Sequence, residues 1–303
     1  MDWVQIGNPG NAADTASNCY SANCGSVPYT YYISKYDVTN AQYAEFLNTV
    51  DPTGSNTLGL YNISMGTDTT PRGITNTGSV GSVYQVKAGF ANDPVEYVTF
   101  YDALRFANWL DNGQGGGSTE TGAYTLLGGT PTPSNGTTVT RNAGAMTFLP
   151  SENEWYKAAY YNPITGTYFA YPYGTNTPTV CAAPGPTPNT ANCSNGGPGH
   201  VTPVGAYTGS ASPYGTFDQG GDVFQWNEQS VSGGLYRSFR GGSWNDFGLY
   251  LDASYPYGGQ PAGYGPGIGF RIASLVPEPA TGLLVMAGLL GLAVARRRAG
   301  LCA

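Results

Sequence analysis

Three short amphipathic runs, each opened by a helix-capping pattern and separated from the next by long Gly-, Pro- and Thr-rich stretches, set the limits on what this chain can become. In the first, Thr39 and Gln42 form a capping box, and Tyr43, Phe46, Leu47 and Val50 follow at i, i+3, i+4 and i+7, one apolar helix face. In the second, Thr99 stands three residues before Asp102, and Ala103, Phe106, Ala107 and Leu110 repeat the spacing. The third opens on Ser151 and Glu154 and turns Trp155, Ala158 and Ala159 inward. Strands are expected at WVQIG near the start, at YYISKYDV from Tyr31, and at the aromatic VFQW from Val223; ETGAYTLLGG reads as a hairpin arm and GTPTPSNGTT as a surface turn cluster. Short helices and short strands joined by irregular loops define an α+β architecture with little regular secondary structure.

Charged residues make up only 10% of the chain, against 45 Gly and 24 Tyr, so the surface must be built from Tyr, Asn, Thr and Ser rather than Lys and Glu. Residues 1–275 hold 18 acids and 9 bases, an excess of nine negative charges. Phosphate backbones need clustered Lys and Arg, so nucleic acid is excluded as a partner. Cys19 and Cys24 lie close together and Cys181 and Cys193 flank a Pro/Asn-rich loop, without the neighbouring His or paired CxxC of a zinc knuckle. Two local disulfides in an oxidising compartment fit this spacing better than zinc.

Candidate chemistry is sparse. Glu152 and Glu154 suggest an acid/base pair, but two residues apart on a helix they point apart, and Glu154 is needed by the cap. One histidine, His200, supports neither a Ser-His-Asp triad nor a His-based metal site. Asn192, Asp222 and Gln225 offer hard oxygen ligands for calcium, and the same residue types serve equally as turn caps. From Tyr236 to Ser274, two arginine-bearing ends, RGGSW (Arg240 to Trp244) and GFRIAS (Gly269 to Ser274), bracket a Tyr/Gly/Pro-rich middle that cannot hold regular structure for long. The ends are expected as framework and the middle as an exposed loop.

After Val276 come Pro277, Glu278 and Pro279, an apolar run from Thr281 to Ala295, and Arg296, Arg297 and Arg298. Fifteen helical residues span about 22 Å, short of the ~30 Å hydrocarbon core, and the arginines can snorkel to hold the charged end on the cytoplasmic side. This tail resembles the PEP-CTERM sorting signal of Gram-negative bacteria; an ordinary single-span anchor is the alternative. The resemblance implies an exosortase partner at the inner membrane, transient anchoring through helix 281–295, cleavage near Pro-Glu-Pro, and a periplasmic, cell-surface or extracellular body. It also predicts a leader ahead of Met1, where the chain opens directly on mature-looking sequence, as if truncated or processed. The organisation expected is a body over 1–275 and a sorting tail over 276–303.

The ordered blocks KYDVTNAQYAEFL, PVEYVTFYDALRFANWL, LPSENEWYKAAYY, YPYG, PYGTFDQGGDVFQW, RGGSW and GFR resemble those of the formylglycine-generating enzyme, or sulfatase-modifying factor, family over about residues 29–275. The resemblance implies a loop-rich α+β fold related to C-type-lectin-like domains. It also implies a copper site formed by two cysteines after RGGS, but the corresponding places fall near Asp246 and Leu251, and no cysteine lies between Cys193 and Cys302. Without thiolates a copper oxidase site has no Cu(I)-selective ligands, so no copper is expected. Iron-dependent relatives use a His-rich site that one histidine cannot supply. The family's calcium pattern Gly-Asn-x-Trp-Glu-Trp reads Gly221-Asp222-Val223-Phe224-Gln225-Trp226, which keeps oxygen ligands.

Three functions are therefore weighed. One is an exported non-catalytic binding module for a glycan or matrix protein, with Trp244, Asn245, Tyr250, Tyr255, Tyr257 and Tyr264 as recognition residues, since Tyr gives large contact area at modest entropic cost. Another is a family enzyme acting on an exported protein through an unrecognised constellation such as Asp246 and Asp252. The third is a structural coat component.

Overall fold

All three capping patterns close helices. The computed structural model describes residues 1–15, 23–67, 73–79 and 82–275. Helix α1 spans Asn40–Val50, with reciprocal hydrogen bonds between Thr39 and Gln42. A single turn, α2, covers Ser64–Thr67. Helix α3 spans Phe100–Asp111 and α4 spans Glu152–Tyr160, capped by the Thr99–Asp102 and Ser151–Glu154 boxes. The strands are β1 Trp3–Ile6, β2 Tyr31–Ser34, β3 Ile74–Asn76, β4 Tyr84–Val86, β5 Thr147–Phe148, β6 Val180–Cys181, β7 Thr190–Ala191, β8 Phe224–Val231, β9 Tyr236–Arg240, β10 Tyr257–Gly259, β11 Ile268–Phe270 and β12 Ala273–Ser274.

Two four-stranded sheets carry the fold, in the orders β1-β2-β12-β5 and β10-β9-β8-β11; β3-β4 and β6-β7 form two-stranded ribbons. The last strands tie the sheets together. β11 runs parallel to β8, and three residues later β12 pairs with β2 and β5. The main core lies between α1, α3 and β11, where the rings of Tyr43, Phe46, Phe106 and Phe270 meet at centroid distances of 5.3–6.3 Å.

Helix α3 differs from the amphipathic helix its spacing predicts, because every residue from Phe100 to Leu110 is buried. Its polar residues are tied internally. Asp102 closes the cap, Arg105 binds Glu120 (2.6 Å) and the Thr130 and Pro131 carbonyls, and Asn108 donates to the Thr119 carbonyl. Asn108 also exchanges two hydrogen bonds with the backbone of Tyr124 (2.7 and 3.0 Å). That exchange explains why the expected hairpin arm ETGAYTLLGG contains only an isolated bridge, Tyr124 to Arg141: the helix side chain takes the bonds a partner strand would supply.

The sorting-tail residues Pro277, Glu278, Pro279, Arg296, Arg297 and Arg298, the apolar run 281–295 and Cys302 lie outside the described residues. Among the described residues no helix is long and apolar enough to cross a membrane.

Candidate functional site

The face built by residues 240–267 begins at a buried ion pair. Arg240, at the end of β9, places Nε 2.6 Å from Glu152 Oε1 and donates from Nη1 to the Ala253 carbonyl, so the first turn of α4 grips both ends of the segment. Gly242 then turns with φ +71°, and a Cβ there would lie 2.9 Å from Leu251 Cδ1. Ser243 donates to Asp246 Oδ2 and accepts from the Asn245 N–H. Trp244 Nε1 and the Gly267 N–H both donate to Glu96 Oε1, at 3.0 and 2.6 Å, closing the loop's base. At the far end, fully buried Arg271 donates to Gln225 Oε1 (2.6 Å), Asp37 Oδ1 (3.1 Å) and the Ser34 and Phe217 carbonyls.

The two places where the family resemblance puts cysteines have unlike surroundings. Leu251 is fully buried among Tyr171, Ala191 and Cys193. Asp246 is half-buried on Ser243, and burial raises its carboxyl pKa while the Ser243 hydrogen bonds pull the other way. A buried alkyl chain and one carboxylate are not a copper-binding pair. Asp252 belongs to a different setting: its Oδ1 accepts from the Ser254 N–H and hydroxyl, and it lines a cleft of about 200 Å³ with Asp14, Tyr168 and Asn176.

Asn192 and Asp222 do meet, with Asn192 Nδ2 donating to Asp222 Oδ1 at 2.8 Å. Thr202 adds its N–H and hydroxyl to the same carboxylate, which burial and neighbouring Asp218 hold well above the usual range. Asn192 Oδ1 is buried without a hydrogen-bond partner. Gln225 does not join them: its Oε1 accepts from Arg271 and Trp155 and its Nε2 donates to the Asp218 carbonyl, which makes it part of the framework. The disulfide expected between Cys181 and Cys193 is present and lies beside the face, since a Cβ on Gly248 would be 3.6 Å from Cys181 Sγ. Cys24 is disulfide-bonded too; Cys19 lies outside the described residues.

Three of the tyrosines expected to serve recognition converge. Tyr250 meets Tyr255 edge-on at 4.7 Å and Tyr257 at 6.1 Å, while Tyr257 stacks on Phe224 at 5.6 Å and lies 5.3 Å from Phe239. Tyr257 is 45% exposed, and exposed Phe247 and Leu249, which residue-type reasoning passed over, belong to the same segment. Trp244 is drawn to Glu96, Asn245 is exposed, and Tyr264 stands over a separate cleft of about 210 Å³ with Tyr97 and Asp102. Burial pushes the Asp102 carboxyl up to about 7 against its hydrogen bonds from Thr99.

A second group went unseen in the sequence. Arg141 binds both Glu154 Oε2 and Glu228 Oε2 at 2.7 Å, with Tyr29 and Tyr124 donating to the same carboxylates. Burial raises Glu228, whereas in Glu154 the Arg141 charge and the Ser151 cap overcome burial and lower it. One signal was available: buried charges are normally paired, so a chain with few charges should pair most of those it buries.

The architecture, mixed sheets with few short helices around a glycine-turned loop, defines a fold shared with known structures. It is similar to CarF (TM-score 0.60, 20% identity, covering 91% of this chain and 99% of that one) and to PvdO from Pseudomonas aeruginosa (0.53, 17%, 90% and 94%). The model of the sulfatase-modifying factor enzyme 1-like domain matches residues 8–276, and the chain belongs to that family. A PEP-CTERM protein-sorting motif matches residues 275–298, which implies exosortase-dependent sorting of an exported protein. Hercynine oxygenase of Mycobacterium tuberculosis is 29% identical over 172 residues, covering 51% of this chain, and that of Mycolicibacterium smegmatis is 27% identical over 175. The chain spans only about a third of the length of these curated relatives, 30% and 31%.

Proposed function

We propose that this exported chain is a non-catalytic binding module whose Tyr250–Tyr255–Tyr257 face takes a glycan of the extracellular matrix. One observation carries the reading. The segment where the resemblance places a copper-binding cysteine pair instead buries Leu251 and gathers three tyrosines, two of them exposed, over Phe224 and Phe239. Partly exposed rings anchored on a buried aromatic floor offer flat apolar faces with hydroxyl rims, suited to the alternating C–H and O–H faces of a sugar.

A glycan array probed with the purified chain tests this: binding to a defined set of glycans, lost in Tyr257→Ala, supports it, and silence across glycans and matrix fractions refutes it. The hercynine oxygenases are named as enzymes, which favours a second reading, a family enzyme, for which we propose an exported protein as substrate. Incubation with copper and a Cys-x-Pro-x-Arg peptide separates the two, since aldehyde formation requires chemistry that Asp246 and Leu251 do not supply.

A further inference from the structure

A cleft of about 400 Å³ opens between residues 137–141 and the β8–β9 hairpin, sharing no residue with the tyrosine face. Phe100, Tyr124, Thr138, Arg141, Glu228 and Arg237 are among its walls. The two arginines differ in kind. Arg141 holds two carboxylates, and both Glu228 oxygens are committed to Arg141 and Tyr124. Arg237 is only 3% exposed yet has no carboxylate partner among the described residues. Its guanidinium lies 4.7 Å from the centre of the Phe100 ring. Nη1 donates to the Glu228 carbonyl (3.0 Å) and Nη2 reaches the carbonyls of Val139 (2.9 Å), Gly136 (3.4 Å) and Thr137 (3.5 Å), while Nε is buried with no partner. A guanidinium has five N–H donors, so this one keeps unmatched donors as well as an unmatched charge. Burial lowers its pKa, the direction expected of a cation taken from water without an anion.

The cleft's walls are built rather than incidental. The β8–β9 register shifts between Trp226 and Ser230, which brings Ser230 opposite Arg237. Such bulges re-aim side chains beside binding sites. The hairpin then turns through Ser232 (φ 51°), Gly233 and Gly234. Gly234 approaches residue 137 so closely that a Cβ would sit 2.0 Å from the Thr137 carbonyl oxygen. Thr137, Thr138 and Thr140, all exposed, line the rim with hydroxyls.

We infer that this cleft is a second binding site, for the carboxylate-bearing sugar unit of an acidic polysaccharide, a uronic acid, with its carboxylate at Arg237 and its hydroxyls at Thr138, Thr140 and Ser230. The inference deepens the proposed function and rests on it in taking a glycan as the partner class. Arginine's planar fork matches a carboxylate, and a cavity of this size lies at the lower end of those that enclose small ligands, enough for one or two sugar rings. The body carries an excess of nine acids, so an anion-binding site needs a local unmatched cation, and Arg237 is that cation.

Titration calorimetry of the full chain with glucuronate and galacturonate oligosaccharides, against neutral and sulfated oligosaccharides of equal length, tests it. Uronates should bind, at least about tenfold more weakly in Arg237→Lys, which keeps the charge and loses the fork, and several-fold more weakly in Thr138→Ala, whose exposed side chain leaves folding intact. Tyr257→Ala should leave uronate binding unchanged. Neutral or sulfated chains binding as tightly as uronates in Tyr257→Ala, or uronate binding indifferent to both Arg237→Lys and Thr138→Ala, would overturn the site. Neutral glycan binding that depends on Tyr257, with no response to uronates, sinks this site alone, whereas silence to every glycan sinks the proposed function as well.

Discussion

Arg240 and Tyr257 stand one strand pairing apart, since Tyr257 faces Phe239 across β9–β10, yet they belong to opposite regimes. Arg240 is fully buried in an ion pair with Glu152; Tyr257 is 45% exposed on an aromatic stack. The framework's specificity comes from charges removed from water, whereas the face proposed to bind glycan consists of uncharged rings left in it. A fold can keep the first unchanged while the second is rewritten, because the arginines bond to main-chain carbonyls and remote carboxylates rather than to the loop's own side chains, Ala253 contributing only its backbone.

The largest effect should come from the framework. Arg240→Ala leaves the Glu152 carboxylate buried and unpaired and should cost about 3–5 kcal/mol in chemical denaturation; a loss below ~1 kcal/mol would erase the contrast. Replacing Cys181 and Cys193 together by Ser should cost about 2–4 kcal/mol, measured under non-reducing conditions, because a short loop beside Leu251 is no longer closed.

Acidity sharpens the contrast further. Burial raises Asp93 and Asp218 to about 6 and Asp102 to about 7, so the folded state holds these protons more tightly than the unfolded chain. Their stabilisation is full below the unfolded value near 3.8 and fades as pH rises through 6 to 7. Glu154 acts in reverse: its lowered value gives stability present above the ordinary 4.5 and lost only as pH falls through the folded value. Thermal unfolding should therefore show a higher Tm near about pH 5 than near about pH 8.

Tyr257→Ala should change stability by less than about 1 kcal/mol while weakening the binding of neutral glycans about tenfold, as read on the array and by calorimetry. Smallest of all is the effect of calcium, for which Asn192 and Asp222 were expected as ligands from the sequence. With a Kd of about 1 mM, about 1 mM calcium should stabilise by only ~0.4 kcal/mol, visible as a slight Tm rise that Asp222→Asn reduces.

Much of the framework was legible because its signals are local. Each capping box lies within four residues, and all three were found where Thr39, Thr99 and Ser151 indicate. The Cys181–Cys193 bridge was legible for the same reason, at a separation of 12 residues. The Arg141 cluster was not, because Arg141 and Glu228 are 87 positions apart and Arg141 sits in a stretch whose Gly, Thr and Ser content signals only loop. Gln225 misled for a related reason. Its side-chain oxygen suits a cation in isolation, and only the tertiary fold brings Arg271, 46 residues away, to that oxygen. Tyr250, Tyr255 and Tyr257 were legible as surface residues, but their convergence depends on Phe224 and Phe239 beneath them.

Among the described residues, every lysine and arginine is buried or half-buried. Cleavage after a basic side chain requires that chain to enter a protease's specificity pocket with several flanking residues extended, which a folded segment anchored at Arg105, Arg240 or Arg271 cannot offer. At the described lysines and arginines, trypsin-like enzymes would therefore meet cut sites that open only when the fold itself opens. For a chain sorted out of the cell, the placement of these described cations is also a defence against digestion.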